Sequence, residues 1–251
     1  MNSLLIVILL GFVQGITEFL PISSSGHLAL LQHFFSFNIH PVAFDVVVHL
    51  GTLTAVLVYF KRDIINDLSS SFPSTIKPIF AALLPTALIG FLFKDAVERA
   101  FFSMKVVGLS FLLTSLILFI TKYTKRKKEF PSISDGFLVG IFQGLSLLPG
   151  VSRSGATISA ALYLGIDREI AAKFSFYIFI PAVLGASILE LPDVPLHVLV
   201  SPTFLAGFLT SFLVGLVSLK FLIDVVKKGK LYLFSLYCLI LGVIVLTIYY
   251  V

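Results

Sequence analysis

The feature of this sequence that most restricts its fold is a set of six apolar stretches whose lengths suit the crossing of a lipid bilayer. They cover residues 42–60, 76–93, 106–121, 171–189, 204–225 and 231–250. A spanning helix needs roughly 17–25 mainly apolar residues. Of the 251 residues, 58% are hydrophobic and only 12% are charged, whereas soluble domains contain about 25% charged residues. We therefore expect an all-α polytopic membrane protein that forms one membrane domain over residues 1–251.

Two further apolar regions, residues 4–37 and 136–164, are each interrupted by a polar run. These runs read Ser23-Ser24-Ser25-Gly26 and Ser152-Arg153-Ser154-Gly155. Each follows a proline, and proline and glycine end one helix while serine caps the next. Backbone that leaves a helix at membrane depth is tolerated only inside protein or beside a wet cavity. Both regions are therefore predicted to be re-entrant helical hairpins.

The two interrupted regions also resemble each other at an offset of 129 residues. Identical pairs in this alignment are Gly11/Gly140, Gln14/Gln143, Gly15/Gly144, Ser23/Ser152, Ser25/Ser154 and Gly26/Gly155. Each hairpin is followed by three spans, and because three is odd the second copy must be inverted. The pattern predicts an inverted-topology repeat, with each half a re-entrant hairpin plus three transmembrane helices. Repeat 1 is expected over about residues 1–125 and repeat 2 over about 132–251.

Lysine and arginine lie mostly in loops that this arrangement places on one side of the membrane. These basic positions are Lys61 and Arg62, the loop 122–128, Arg168, and Lys227, Lys228 and Lys230. By the positive-inside rule that side is cytoplasmic, and the loop 190–201, which has no lysine or arginine, is outside. The loop 94–105 is an exception, because it is placed outside but carries three basic residues. Loop charge explains the net charge of +5, so no nucleic-acid partner is expected.

The inverted arrangement brings the polar tips of the two hairpins together near the middle of the bilayer. They supply Ser23, Ser24, Ser25 and His27 from the first tip, and Ser152, Arg153, Ser154 and Thr157 from the second. Each returning helix would point free N–H groups and the positive end of its dipole into the site. Arginine adds a planar fork that matches phosphate oxygens, and a serine beside a histidine is a nucleophile with a base. The tips are therefore predicted to bind and attack a phosphate.

Glu18 and Arg153 indicate function because charged groups at membrane depth are expensive. Glu18 lies one helical turn after Gln14, and it could hold a divalent cation that neutralises a diphosphate, or orient His27. A purely structural ion pair between Glu18 and Arg153 is the alternative.

The other polar residues also have structural interpretations. The serines could be helix caps alone, and Gln14 and Gln143 could be helix-packing groups. Asp45 and His49 lie one turn apart within a predicted span, and we take them as residues of the site wall.

Two motifs carry a resemblance to a known family. Residues 14–27 read QGITEFLPISSSGH and residues 148–157 read LPGVSRSGAT. They resemble the undecaprenyl-diphosphate phosphatases of the bacitracin-resistance family, and the likeness covers essentially the whole chain. The resemblance implies that the terminal phosphate is removed from a C55 polyprenyl diphosphate, which regenerates the carrier lipid for cell-wall polymers with the help of a divalent cation, Mg or Ca.

The resemblance also implies roles for individual residues. Ser24 matches the proposed nucleophile, His27 the acid/base, Arg153 the phosphate-binding arginine, and Glu18 the second carboxylate of a (Glu/Gln)-x-x-x-Glu motif. Gln14 occupies the first position of that motif, so Glu18 and Gln14 are the expected metal ligands. The expected substrate-binding residues are Ser23, Ser25, Gly26, Ser152, Ser154, Gly155 and Thr157. The resemblance implies a plasma-membrane protein whose site opens to the outer face, and a homodimer is kept as an alternative to a monomer.

Two other functions fit part of this sequence. Many secondary transporters have inverted repeats with broken helices, so a transporter or lipid flippase for an anionic substrate is the alternative. A carrier needs the arginine and the helix dipoles but no nucleophile with a base. A second superfamily of lipid phosphatases has a Ser-Gly-His element like residues 25–27, but its other motifs do not follow Arg153, which excludes it.

Overall fold

The chain is a bundle of helices in the computed structural model, which describes residues 3–35, 41–70, 72–125, 128–193 and 199–251. The helices in these ranges are α1 Ser3–Thr17, α2 Ser24–Phe35, α3 Pro41–Tyr59, α4 Lys61–Ser70, α5 Phe72–Leu92, α6 Lys94–Phe101, α7 Met104–Ile120, α8 Ile133–Leu145, α9 Arg153–Tyr163, α10 Arg168–Glu190, α11 Pro202–Lys227 and α12 Phe234–Tyr250. Within the described residues the β-structure amounts to one isolated bridge between Lys128 and Ile166. The all-α prediction is confirmed.

Five of these helices are long and apolar enough to cross a membrane alone, namely α3, α7, α10, α11 and α12. The sixth predicted span is α5, which continues into α6 after a bend of 76°. Two shorter apolar helices, Leu4–Thr17 and Ile133–Leu145, form the first limbs of the two interrupted regions. The order of elements is thus the predicted one, with a broken region before each set of three spans.

The charged loop that does not fit the positive-inside pattern contains a helix, α6, which follows the bend after α5. α6 begins at Lys94 and carries Asp95, Glu98 and Arg99 on a short helix, whereas α5 has an apolar sequence. Charged side chains favour the membrane–water interface over the hydrocarbon region. Residues 94–101 therefore form an amphipathic helix of the kind that lies in the interface.

Glycines bring each hairpin into close contact with the opposite half of the chain. α1 packs along α11, and α8 packs along α5. A Cβ atom on Gly11 would lie 2.9 Å from the carbonyl oxygen of Gly207, and one on Gly140 would lie 2.1 Å from that of Ala82. Small residues allow helix backbones to approach this closely in membranes. Since Gly11 and Gly140 are equivalent in the repeat, this packing is consistent with an inverted repeat of two interlocked halves.

Ion pairs join the ends of helices that are predicted to face the cytoplasm. The pairs are Lys227–Glu169 at 2.9 Å, Lys173–Asp63 at 3.1 Å and Lys128–Asp135 at 2.8 Å. The first two pairs join the end of α11 and the start of α4 to the start of α10, and the bridge from Lys128 to Ile166 brings the loop 122–128 to the same end, so the basic loops lie on one side of the bundle. Residues 126–127 and 194–198, which belong to loops used for the predicted orientation, lie outside the described residues.

Candidate active site

Two equivalent serines cap the returning helices of the hairpins. Ser23 Oγ accepts a hydrogen bond from the Gly26 N–H at 3.2 Å, and Ser152 Oγ accepts one from the Gly155 N–H at 3.1 Å. Ser23 Oγ also accepts the N–H of Gly150 at 3.1 Å, which ties the two tips together. Ser23 has a φ of 69°, a left-handed conformation that is uncommon for residues other than glycine and often found at functional sites.

Ser24 and Arg153 are the first residues of α2 and α9, and they occupy equivalent positions in the repeat. Both side chains bind Glu18, which follows the end of α1. Arg153 Nη2 donates to Glu18 Oε1 at 2.6 Å, and the Ser24 hydroxyl donates to Glu18 Oε2 at 2.6 Å. Gln14 Nε2 also donates to Oε2, at 3.1 Å. The meeting of the tips thus places a hydroxyl, a carboxylate and a guanidinium in one hydrogen-bonded group.

Arg153 retains hydrogen-bonding capacity for an anion. Its guanidinium lies 3.8 Å from the ring centroid of Phe179, a cation–π contact that fixes the plane of the fork. Nη1 is buried and has no hydrogen-bond acceptor among the described residues. A buried donor without a partner is costly, so an oxygen atom of a bound phosphate would stabilise this side chain.

A cavity of about 370 Å³ lies beside this group, within the usual size range of small-molecule sites. Its polar wall includes Glu18, Ser24, Asp45, His49, Gln143 and Arg153. Its apolar wall includes Phe101, Leu147, Phe179 and Val183. The cavity therefore combines a polar surface with an apolar one, as a lipid with a charged headgroup requires.

The predicted substrate-binding residues divide into two groups. Ser23, Ser25 and Ser152 line the cavity. Ser154 and Thr157 are fully buried behind it, where Ser154 Oγ donates to the Phe19 carbonyl at 2.9 Å and Thr157 Oγ1 donates to the Arg153 carbonyl at 2.8 Å.

The glycines of the tips, Gly26 and Gly155, also do not line the cavity, and they allow close packing. A Cβ atom on Gly26 would lie 2.8 Å from the Cα of Gly150. Direct contact of these buried residues with substrate stays a prediction. In the structure they support the two tips.

The two intramembrane histidines lie in different surroundings. His27 Nδ1 is 2.7 Å from the Ser23 carbonyl oxygen, and its Nε2 is 2.7 Å from the hydroxyl of Tyr237. His27 is absent from the cavity wall, whereas His49 lines it and has Nε2 3.7 Å from Glu18 Oε2. The acid/base role of His27 stays a prediction. The sequence contains no signal for its Tyr237 partner, which lies 210 positions away.

Glu18 and Gln14 do not fit a resident divalent cation in this arrangement. Both oxygens of Glu18 already accept hydrogen bonds. Gln14 directs its amide nitrogen to Glu18, and its Oε1 is buried without a partner. The described ranges contain no group of three or more His, Cys, Asp or Glu side chains that could hold a metal ion. We therefore assign no chemical step to a resident cation, and the predicted cation stays a prediction.

Comparison with known proteins relates the whole chain to one family. The family model described as "Bacitracin resistance protein BacA" matches residues 7–244. A Carboxydothermus hydrogenoformans protein named undecaprenyl-diphosphatase is 43% identical, over 99% of this chain and 98% of that protein. A Korarchaeum cryptofilum protein of the same name is 40% identical, over 96% and 97%. A third, from Thermosipho africanus, is 40% identical over 94% and 97%. The matched region includes both tip motifs.

Proposed function

Since the chain belongs to the bacitracin resistance protein BacA family, we propose that it removes the terminal phosphate from undecaprenyl diphosphate and so yields the monophosphate carrier lipid for cell-wall polymers. The relatives named undecaprenyl-diphosphatase support this substrate. The observation that carries the proposal is the Ser24 hydroxyl 2.6 Å from the carboxylate that also binds Arg153. Phosphoryl transfer requires a nucleophile, a proton acceptor and a fixed positive charge in this kind of proximity.

In the proposed first step, Ser24 Oγ attacks the terminal phosphorus and passes its proton to Glu18 Oε2. The anhydride P–O bond breaks, the prenyl monophosphate leaves as an anion, and a phosphoserine forms. Arg153 binds the oxygens of the transferred phosphoryl group, whose charge increases in the transition state.

In the second step, water attacks the phosphoserine and inorganic phosphate leaves. The Ser24 Oγ–P bond breaks, and Glu18 returns its proton to Oγ. Glu18 thus acts as base in one step and acid in the next.

The substrate would approach from the outer face of the plasma membrane. Phe101 at the end of α6, Asp45 near the start of α3 and Glu190 at the end of α10 all line the cavity. In the predicted topology these helix ends share the side of the loop 190–201, which is the outer side. The apolar wall would take the first isoprene units of the lipid while its diphosphate lies at Ser24. A divalent cation is proposed to enter as the counter-ion of the diphosphate.

Inorganic phosphate release by the purified protein tests this proposal. With farnesyl diphosphate or undecaprenyl diphosphate, the unaltered chain should release phosphate, and Ser24→Ala should release none while still binding the lipid. Ser146→Ala is the matched control, because Ser146 lines the cavity but its hydroxyl bonds its own helix at the Gln143 carbonyl, 2.7 Å away. Near-normal release by Ser24→Ala would remove the nucleophile role. Lipid movement across vesicles without phosphate release would instead support the carrier alternative.

A further inference from the structure

His49 presents a hydrogen-bond acceptor to the cavity. Its Nδ1 lies 2.7 Å from the carbonyl oxygen of Asp45, one turn earlier on α3. A carbonyl only accepts, so Nδ1 carries the hydrogen of the neutral ring and Nε2 is left with a lone pair. Nε2 is 3.7 Å from Glu18 Oε2, beyond hydrogen-bond distance. Although α3 is a membrane span, the side chain is 33% exposed, because it faces the cavity.

The second step of the proposed reaction would be faster with a base that takes a proton from the attacking water, and Glu18 cannot be that base. When the phosphoserine is hydrolysed, Glu18 already holds the proton of Ser24 and must return it to Oγ. It cannot take a proton from the attacking water in the same step. His27 does not line the cavity, and both its ring nitrogens already have polar partners. His49 is therefore the imidazole placed to receive the proton.

Carboxyl groups from three elements lie near His49 around the cavity. Glu18 on the first hairpin lies 3.7 Å away. Asp45 on the same helix and Glu190 at the end of α10 line the same cavity and interact electrostatically with His49. Arg153 is the opposing charge, and Glu18 partly neutralises it through their 2.6 Å contact. Of these three carboxyl groups, that of Glu18 is the one next to Nε2.

We propose that His49 is a further catalytic residue, which takes the proton from the water that hydrolyses the Ser24 phosphoserine. This inference rests on the proposed function. The water oxygen forms a bond to phosphorus, the Ser24 Oγ–P bond breaks, one water proton passes to His49 Nε2, and Glu18 returns its proton to Oγ. Inorganic phosphate then leaves, and His49 releases its proton to water in the cavity.

Rapid-quench kinetics separate the two steps, because the lipid product forms in the first and inorganic phosphate in the second. His49→Ala and His49→Gln should each give a burst of prenyl monophosphate close to one per enzyme. Phosphate release should then be roughly 10²–10⁴-fold slower than in the unaltered chain, the usual contribution of a general base. Acid-quenched samples should contain phosphorylated Ser24. Added imidazole should speed phosphate release by His49→Ala and leave the burst unchanged, an effect that a structural role would not produce.

His33→Gln is the control for loss of a histidine, since His33 is exposed and does not line the cavity; it should behave as the unaltered chain. If His49→Ala does not fold, the His49→Gln variant, whose side chain is closer in size to histidine, carries the test. Equal slowing of both products without phosphoserine, or unchanged rates in the Gln variant, would overturn the role of His49. If phosphate is released by Ser24→Ala, the phosphoserine route itself fails, and that outcome is distinct from a failure of His49.

Discussion

At the scale of single residues, the site depends on the buried carboxylate of Glu18. Its side chain is 6% exposed and that of Arg153 is 15% exposed, so each charge would be costly without the other. Breaking a buried ion pair from one side typically costs about 3–5 kcal/mol. A substitution at either position therefore affects folding as well as catalysis, and tests must measure both.

Substitution of Arg153 separates its charge from its shape. Arg153→Lys keeps a positive charge near Glu18 but lacks the planar fork, whereas Arg153→Gln removes the charge. We expect kcat/KM for phosphate release to fall about 10²–10³-fold in the Gln variant, by analogy with the loss of one oxyanion donor, and by less in the Lys variant. The thermal midpoint should fall in Arg153→Gln. If the Gln variant kept its kcat/KM, the ion pair between Arg153 and Glu18 would have a structural role only.

Substitution of Gln14 tests the cation prediction. Gln14→Glu adds a second carboxylate beside Glu18, which should lower the magnesium or calcium concentration needed for half-maximal phosphate release. Glu18→Gln should lose activity because it removes the proposed proton acceptor of Ser24, and partial restoration by excess cation would show that Glu18 also binds the cation. An unchanged response to the cation in both variants would show that Glu18 does not bind it, and would leave Glu18 its hydrogen bonds to Ser24 and Arg153 alone.

The sequence predicted which residues meet at the tips but not the role of each residue. Ser24, Glu18 and Arg153 were predicted from their motifs, and they lie together in the structure. The direction of His27 depends on Tyr237 of α12, whose packing no local pattern reveals. The sequence places His49 in the site wall with Asp45, one turn earlier, but assigns it no chemical role. Its contact with Glu18 is set by the crossing of α3 with the hairpin, which a single sequence does not fix.

At the scale of elements, glycines at helix crossings determine how closely the hairpins pack. Gly140→Ala would place a Cβ 2.1 Å from the Ala82 carbonyl oxygen on α5. This overpacking should destabilise the protein by roughly 1–3 kcal/mol. Gly185→Ala is the matched control on α10, because no atom lies within 4 Å of the added Cβ, and helix propensity should make it neutral or slightly stabilising. The thermal unfolding midpoint in detergent should fall for the first and not for the second.

A comparable fall in both glycine variants would show that local backbone freedom at these glycines matters here, and not the helix crossing. The equivalent Gly11→Ala, which meets the Gly207 carbonyl oxygen at 2.9 Å, should give a smaller loss than Gly140→Ala.

The elements themselves were largely predictable, because apolar length and polar interruptions act locally. Among the described residues, five of the six predicted spans are single apolar helices, the sixth is α5 of the bent α5–α6 pair, and both interrupted regions occur near the predicted positions. The helix α6 is not predicted from the sequence, which indicates a charged loop over residues 94–105. The charges on that segment favour an interfacial helix, which follows α5 after a bend of 76°.

At the scale of the whole molecule, the two halves are interlocked. α1 of the first half packs on α11 of the second, and α8 of the second packs on α5 of the first. Residues from both halves supply the site, with Ser24 and Glu18 from one and Arg153 from the other. Half of the chain would therefore have neither a complete site nor a complete surface for its hairpin.

A shared site requires that the two tips enter from opposite faces of the membrane, and accessibility of single cysteines tests this most directly. In a Cys238→Ser background, cysteines replace Phe130 and Val200, which are 70% and 69% exposed. Intact cells are treated with a membrane-impermeant thiol reagent, before and after permeabilisation. Position 200 should be labelled in intact cells, and position 130 only after permeabilisation. The reverse pattern would invert the orientation, and labelling of both positions in intact cells would contradict opposed hairpins and the shared site.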